Sequence, residues 1–430
     1  MLSERKKVCG IDPHKNMCAA VVIKGNPIET LGKIKFENNR RGLDKLLHLL
    51  SETDCNTVVI ETTNTFWQGI SSALMHMGYT VVPVAPQTVP KKREKDDFHD
   101  ASWLAITYMD NRVTQAYFAT PKIQKLRSLL RTRYTLIKIR TMLKNRLNAE
   151  LSRAGLNLKG VVSDIFGKEG KKILQTLAEE GIEGIKELAN SEDGTSHKKN
   201  KYAMLLDVLS VAFMENFDAQ VITILLLGTD NFEKLIERIE GLVNELIHSD
   251  MELLSLVNLL MTIPGVGFIT AATIVAEVGD FTRFTSGKKI AKWAGLTPRM
   301  RESGGKRYYG RITRQGSPFV RWILYEAATT IAKLKKPQKL YTFYKGIAIR
   351  RGTKIAAVAL ARKLLVVMHA MVMQGRKYDE SDAYRGTYER KMYLMELNYK
   401  KYREGLNQIK NELSKLRDTE LTLIDERQKT

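Results

Sequence analysis

At 430 residues the chain exceeds one ordinary hydrophobic core, so two or three domains are expected. Lysine and arginine number 69 against 47 aspartates and glutamates, a formal net charge of +22, and an excess of that size favours a polyanionic partner. Nucleic acid ranks ahead of membrane, because no amphipathic anchor, lipidation signal or apolar run of bilayer length is evident and the first residues lack the apolar stretch of a signal peptide. A soluble, cytoplasmic protein is the expectation. The three cysteines, Cys9, Cys18 and Cys55, form no CxxC pair, which argues against a zinc site or a disulfide framework. The seven histidines are scattered without HxxxH spacing, so any metal is expected on oxygen ligands alone.

Residues 1–115 read as an α/β domain. Lys7–Asp12 and Met17–Lys24 are β-rich runs joined by the turn signal PHKN, and Leu31–Phe36 reads as a third strand. Leu43, Leu46, Leu47 and Leu50 then recur at helical spacing. Thr57–Glu61 is an apolar strand ending in an acid, residues 65–77 return to helical period, and Thr80–Val84 reads as another strand before a last helix. That order predicts a mixed sheet with its parallel strands buried on both faces.

The acids fall where chemistry would use them. Asp12 closes the first strand and Glu61 the fourth, and ligands of open α/β sheets gather at the carboxyl ends of strands. Asp97 and Asp100 open a helix and, at i and i+3, share one face. Four converging carboxylates suit Mg²⁺ or Mn²⁺, and two such ions about 4 Å apart stabilise the attacking and leaving oxygens of phosphoryl transfer. Each acid alone also reads more simply, as a helix N-terminus favoured by the dipole or as a turn before Pro13. Asp96, i+4 from Asp100, competes with Asp97 on spacing.

Residues 116–262 form a long helical middle. From Gln124 to Leu156, Arg127, Arg131, Arg133, Arg140, Lys144 and Arg146 interleave with leucines and isoleucines, with almost no acid before Glu150. Ion-pair lacing is therefore not expected, and contact with a nucleic-acid backbone is favoured over a solvated face. Residues 190–201 are polar and turn-rich and read as a loop. Leu235, Ile239, Leu242, Leu246, Leu253, Leu256 and Leu260 keep helical register, as a coiled-coil-like pairing helix or equally a core helix of a bundle.

In residues 263–375, Ile263-Pro-Gly-Val-Gly267 reads as a helix-hairpin-helix turn whose Gly265 and Gly267 expose backbone N–H groups to a DNA phosphate, with a tight helix connection as the plainer alternative. Ser303 precedes Gly304 and Gly305 on a turn ringed by Arg299, Arg301, Lys306, Arg307, Arg311 and Arg314. A hydroxyl among guanidinium groups on a glycine turn is placed to meet a phosphate. No paired histidine accompanies it, so metal-assisted deprotonation is the expected activation. Residues 376–430 form a charged, tyrosine-rich helical tail of unassigned role, read as an amphipathic helix for a partner or as a base-stacking segment.

Gly-Ile-Asp12, Ile-Glu61-Thr and Lys95-x-Asp97-x-x-Asp100-Ala-x-x-Leu-Ala resemble the RuvC-like, ribonuclease-H-like DEDD domain of the IS110 group of insertion-sequence transposases. Glu277-Val-Gly279-Asp280, Ala294-Gly295-Leu296-x-Pro298-x4-Ser303-Gly304, Gly316-x4-Arg321-x-x-Leu324 and Lys354-Ile-Ala-x5-Arg362-Lys363 resemble that group's transposase domain. The resemblance implies a RuvC-like domain, a helical middle and a mostly helical transposase domain. It implies that Asp12, Glu61, Asp97 and Asp100 hold Mg²⁺, with Asp97 preferred over Asp96, and that Ser303 is a nucleophile forming a phosphoserine link to DNA. It further implies donor and target DNA as substrates, a structured non-coding bridge RNA as guide, and a dimer or tetramer in which the two parts come from different protomers. Two other readings remain: a ribonuclease-H-like metal nuclease such as a Holliday-junction resolvase without a covalent step, and a non-catalytic nucleic-acid scaffold.

Overall fold

Alternate residues of the first strand face two different cores, and this alternation organises the amino-terminal unit of the computed structural model. The structure describes residues 6–380, apart from 26, 63–64, 87–88, 90–95, 114, 192–195 and 335–338, together with residue 409. The expectations for the tail beyond residue 380, and for Lys95, lie outside the described residues. The chain divides into two compact units, residues 1–120 and 121–430.

In the first unit β1 (Lys7–Asp12), β2 (Met17–Lys24) and β3 (Glu29–Glu37) form an antiparallel meander, followed by α1 (Arg40–Glu52), β4 (Thr57–Glu61), α2 (Phe66–His76), β5 (Thr80–Val84) and α3 (Asp97–Met109). The sheet order is β3-β2-β1-β4-β5, with β4 and β5 parallel to β1. This order and these directions are those of the ribonuclease-H-like fold. Cys9, Ile11, Val58 and Ile60 face a core closed by Leu43, Leu46 and Leu50 of α1 and Ile70 and Leu74 of α2. Val8, Val21, Val59 and Val82 face the other way, onto Ala101, Leu104 and Ala105 of α3. A strand buried on both faces reads as a continuous apolar run, as β1 and β4 do.

Gly10 sets how closely α3 approaches. A Cβ there would lie 2.0 Å from the carbonyl oxygen of Ala101, so the α3 backbone rests directly on β1. The helix begins cleanly because Asp96 caps it, accepting a hydrogen bond from the N–H of His99 at 3.3 Å.

The second unit is mostly helical. It comprises α4 (Pro121–Arg153), α5 (Lys168–Ser191), α6 (Ser196–Ser210), α7 (Ala219–His248), α8 (Met251–Met261), α9 (Phe268–Val278), α10 (Gly287–Trp293), a hairpin of β6 (Pro298–Ser303) and β7 (Lys306–Ile312), then α11 (Pro318–Leu334), α12 (Lys339–Arg351) and α13 (Thr353–Gln374). Leu126 and Leu130 of α4 and Val243 and Ile247 of α7 join the core built around α9, α11 and α13. A second core gathers the far end of α4 with α5, α6 and the start of α7.

Three expectations are corrected here. The stretch 190–201, read as a loop, is helical from Ser196. The helical register across 232–260 belongs to two helices, because Asp250 caps a new one through the N–H groups of Glu252 and Leu253. Among the described residues one segment is, against expectation, long and apolar enough to cross a membrane: the 22-residue α13. More than half of its apolar window is buried, with Leu360, Leu364, Leu365, Met368 and Met371 in the unit's own core, which is the behaviour of a core helix.

Replacing Gly10 by alanine forces α3 off β1 and should cost about 1–3 kcal/mol of stability, the usual range for overpacking a tight contact. Urea unfolding of the variant checks this, and an unchanged midpoint would show that α3 is not seated on Gly10.

Candidate active site

One register row of the sheet carries the chemistry of the first unit. Asp12 pairs with Ala19, and Ala19 with Lys35, so these three share the face covered by α3. Glu61 follows Ile60 of β4, the partner of Ile11, and alternation turns it to that same face. The first turn of α3 brings Asp97 and Asp100 over the row. Asp96 is occupied as the helix cap, which separates its role from that of Asp97.

Among the described residues Asp12 and Asp97 come together with His14, while Glu61 and Asp100 stand outside that set and act on Asp12 through their charge. Burial raises the Asp12 carboxyl above its ordinary value; the His14 imidazole pulls it down, while the charges of Glu61, Asp100 and Asp97 push it up further. Asp97 behaves oppositely: a 2.7 Å hydrogen bond from the Lys35 ammonium, outweighing desolvation, holds its carboxyl below the usual range.

Two residues of this cluster escaped sequence reasoning. His14 Nε2 lies 3.1 Å from Asp12 Oδ2 and 3.7 Å from Asp97 Oδ1. Asp12, His14 and Asp97 offer ligand atoms all within 4.8 Å of one another, so an imidazole nitrogen stands beside the oxygen donors expected from the sequence. The carbonyl of His14 accepts hydrogen bonds from Asn38 Nδ2 at 3.1 Å and Cys18 Sγ at 3.7 Å, which anchors its turn. The only sequence signal was its place two residues beyond Asp12. Lys35 was hidden because its tie to Asp97 spans two strands. The donor set fits a divalent cation: the carboxylates repel one another, Asp12 is mostly shielded from water, and among the described residues Lys35 pairs with Asp97 and not with Asp12.

The cations of α4 are used otherwise than expected. Arg127 donates through Nε to the carbonyl of Ala276 at 2.6 Å and through Nη2 to that of Glu277 at 3.0 Å, satisfying the C-terminal turn of α9. Arg131 forks onto both oxygens of the buried Glu277 at 2.7 and 3.0 Å, and Ser317 adds its hydroxyl at 2.8 Å. Arg133 pairs with Glu240, Arg140 and Lys144 with Glu233, and Arg146 with Glu150. Ion-pair lacing is thus present, contrary to expectation, because apart from Glu150 at the end of α4 the acids come from α7 and α9.

Ser303 ends β6 at the tip of a two-residue turn in which Gly304 and Gly305 have φ of +55° and +73°. Consecutive positive φ values make the hairpin turn that glycine supports best. Cross-strand partners share a face, so Ser303 stands with Lys306, and Arg301 with Tyr308 behind it. Arg307 lies on the opposite face and pairs with Glu302 at 3.0 Å. Arg299, Arg301, Lys306, Arg311 and Arg314 are all exposed. The hairpin's base is clamped: Arg321 Nη1 donates to the carbonyls of Ala294, Gln315 and Gly316 at 3.1, 2.9 and 3.0 Å. A Cβ on Gly316 would lie 1.9 Å from the Trp293 carbonyl, so these two passes of chain touch backbone to backbone. In the turn before α9, Gly265 packs against Ile331, whereas Gly267 opens α9 with free space beside it.

The ribonuclease-H-like sheet with acids at its strand ends defines the class: a DEDD-type enzyme of nucleic-acid phosphoryl transfer, whose fold implies a divalent metal ion. A DEDD family profile described as "Transposase" matches residues 9–155, and one described as "Transposase IS116/IS110/IS902 family" matches residues 257–345. Together they span more than half of the chain, which belongs to the IS110 family of DNA transposases and recombinases. The chain is 25% identical over 311 residues to a probable family 20 transposase of Pseudomonas aeruginosa, covering 71% of this chain and 80% of that protein. It is 31% identical over 147 residues to the pilin gene-inverting protein of Moraxella bovis, covering 34% and 45%. The structure of Thermus thermophilus RuvC in complex with a Holliday junction substrate aligns with 26% of this chain and 99% of its own at 12% identity and a TM-score of 0.22.

Arg131→Ala leaves the buried Glu277 carboxylate with only Ser317 and should cost roughly 2 kcal/mol, discounted because the arginine is partly in solvent. Arg299→Ala, on the exposed hairpin, should leave the melting temperature unchanged. Thermal unfolding of the two variants side by side checks the contrast, and equal melting temperatures would contradict it.

Proposed function

We propose that this transposase is an RNA-guided DNA recombinase that exchanges strands through a phosphoserine intermediate formed on Ser303. The observation that carries the proposal is the placement of Ser303: an exposed hydroxyl at a glycine turn, with Lys306 and Arg301 on its own face and the base of its arm clamped by Arg321. A nucleophile of this kind must reach a phosphate held in a duplex, and an exposed tip on a fixed base meets both needs.

In the first step Ser303 Oγ attacks the scissile phosphorus. The Oγ–P bond forms, the bond to one deoxyribose oxygen breaks, and a proton ends on the released hydroxyl while the serine gives up its own. A hydroxyl from the other strand then attacks the phosphoserine and frees Ser303, so phosphodiester energy is conserved without ATP. Lys306 and Arg301 neutralise the charge that builds on the phosphoryl oxygens. Arg307, engaged with Glu302 on the other face, contributes less. Asp12, Glu61, Asp97 and Asp100 are proposed to hold Mg²⁺, with Mn²⁺ an alternative. The bound ion would supply charge stabilisation at the reacting phosphate and ease deprotonation of a hydroxyl.

Donor and target DNA are the substrates and, on the family resemblance, a structured non-coding guide RNA is a further partner; the net charge of +22 favours a polyanion of either kind. Joining two duplexes calls for more than one active site, which supports a dimer or tetramer.

Ser303→Ala should abolish the detergent-resistant protein–DNA adduct on DNA carrying the element's ends while binding that DNA normally; an adduct of wild-type yield would remove the serine from the chemistry. Metal-dependent nicking by the intact protein with no adduct would select a simple ribonuclease-H-like nuclease instead. Mg²⁺ should raise the melting temperature of the wild type but not of Asp12→Asn or Glu61→Gln, because a ligand stabilises only the state that binds it. The same rise in both variants would show that these acids hold no ion.

A further inference from the structure

From Ala327 to Tyr378 the sequence contains no aspartate or glutamate, while lysine and arginine recur throughout. The structure folds part of that stretch into α12 and the first turn of α13. Between its end residues Lys339 and Arg351, the exposed residues of α12 are Thr342, Lys345, Gly346, Ile349 and Arg350, at i, i+3, i+4, i+7 and i+8, one continuous face. The opposite side of the helix is anchored by Leu340 in the core, with Tyr341, Phe343 and Tyr344 packed against it. Arg351, Gly352, Thr353, Lys354 and Ile355 continue the exposed surface round the corner into α13.

Three features separate this face from an ordinary solvated one. Lys345, Arg351 and Lys354 make no ion pair among the described residues, and Arg350 donates only to its own helix, at the Gly346 carbonyl. The acid that does reach α12, Glu380, accepts from the backbone N–H of Lys339 at the other end of the helix. The face also carries Ile349, 76% exposed, and Ile355, 54% exposed, which solvation alone does not favour. Finally, Gly346 sits mid-helix with nothing within 4 Å of where its Cβ would be. A glycine costs a helix about 1 kcal/mol relative to alanine, and here it leaves a bare strip of backbone between two cations. The helix dipole accounts for cations in the last turn, at Arg350 and Arg351, but not for Lys345, Gly346 or Ile349.

We propose that this face docks on duplex DNA, with Lys345, Arg350, Arg351 and Lys354 on the phosphates flanking a major groove and Gly346 and Ile349 turned toward the base edges. The B-form major groove admits an α-helix and offers thymine methyl groups to an apolar side chain, whereas the deep, narrow A-form groove of duplex RNA excludes one. The chemistry therefore favours DNA over a folded RNA. The face lies mostly beyond the transposase match, which ends at residue 345, and is independent of the serine chemistry.

The test uses the full-length chain and fluorescence anisotropy on a labelled mixed-sequence DNA duplex and on an RNA hairpin, across about 50–200 mM salt. The triple variant Lys345→Gln/Arg350→Gln/Lys354→Gln should bind the duplex roughly tenfold or more weakly, with the log–log salt slope shallower by about 3, one unit per lost phosphate contact. Ile349→Glu, at an exposed position that leaves the fold intact, should weaken the duplex without removing a cation. An unchanged slope in the triple variant overturns the proposal, and so does a loss confined to the RNA hairpin. Binding is read without turnover, so failure of the phosphoserine reading would leave these outcomes untouched and remain distinguishable from failure here.

Discussion

Asp12 and Asp97 crowd together around the His14 ring, with the charges of Glu61 and Asp100 bearing on Asp12, and the amino-terminal unit is built to hold these acids there despite their repulsion. The backbone does the holding. Gly10 lets α3 lie on β1 with no side chain between, and Asp96 fixes where the helix starts, so Asp97 and Asp100 arrive above Asp12 by construction. Ala19 keeps the row between Asp12 and Lys35 low enough for the lysine to span it. Lys35 binds Asp97 and His14 lowers the Asp12 carboxyl, yet that carboxyl stays raised, chiefly because it is buried and further because Glu61, Asp100 and Asp97 push it up. The residual negative potential is what a divalent cation would meet, and it is present before any ion arrives.

The helical unit solves the opposite problem, an excess of positive charge, by sorting its cations into two populations. Arg127, Arg131, Arg133 and Lys144 are paired with acids or carbonyls of α7 and α9, at separations of 89 to 150 residues. They hold α4 against its neighbours, and Glu277, with almost no exposure, is tolerable in the core only because Arg131 and Ser317 satisfy it. The second population, around Ser303 and along α12, is left in water. Charge in the first population holds the fold together, whereas charge in the second, apart from Arg307 on Glu302, faces solvent.

How much of this was legible depended on the range of the signal. Strand alternation and helical period are local, so the order of elements in the first unit and the acids closing β1 and β4 could be read directly. The pairing of α4 could not, because a run without acids looks unpaired until the acids of two distant helices are folded against it. His14 was visible as a residue two positions past Asp12, but only the turn between β1 and β2 brings its ring back over the acid. The break between α7 and α8 had a local signal that the leucine register masked: Asp250 directly before Met-Glu-Leu-Leu is a helix cap. Helix α13 was misjudged for a related reason, since Lys354, Arg362 and Lys363 interrupt the apolar run in sequence while the helix still buries a continuous apolar side.

The hairpin that carries Ser303 draws its rigidity from an unusual place. All but its last residue are exposed, so side-chain packing contributes little to fixing the tip. What remains is backbone geometry. Two successive glycines in the left-handed region close the turn in the hand that matches the twist of the strands. At the other end, Gly295 and Gly316 permit contacts that any side chain would block, and Arg321 ties three carbonyls across them. Burial lowers the pKa of that guanidinium, with Arg314 adding to the effect, so it pays desolvation for its position and recovers it in charge-assisted hydrogen bonds. A hydroxyl on such an arm keeps its position without a surrounding pocket. The surface around it stays open to solvent on both faces of the hairpin.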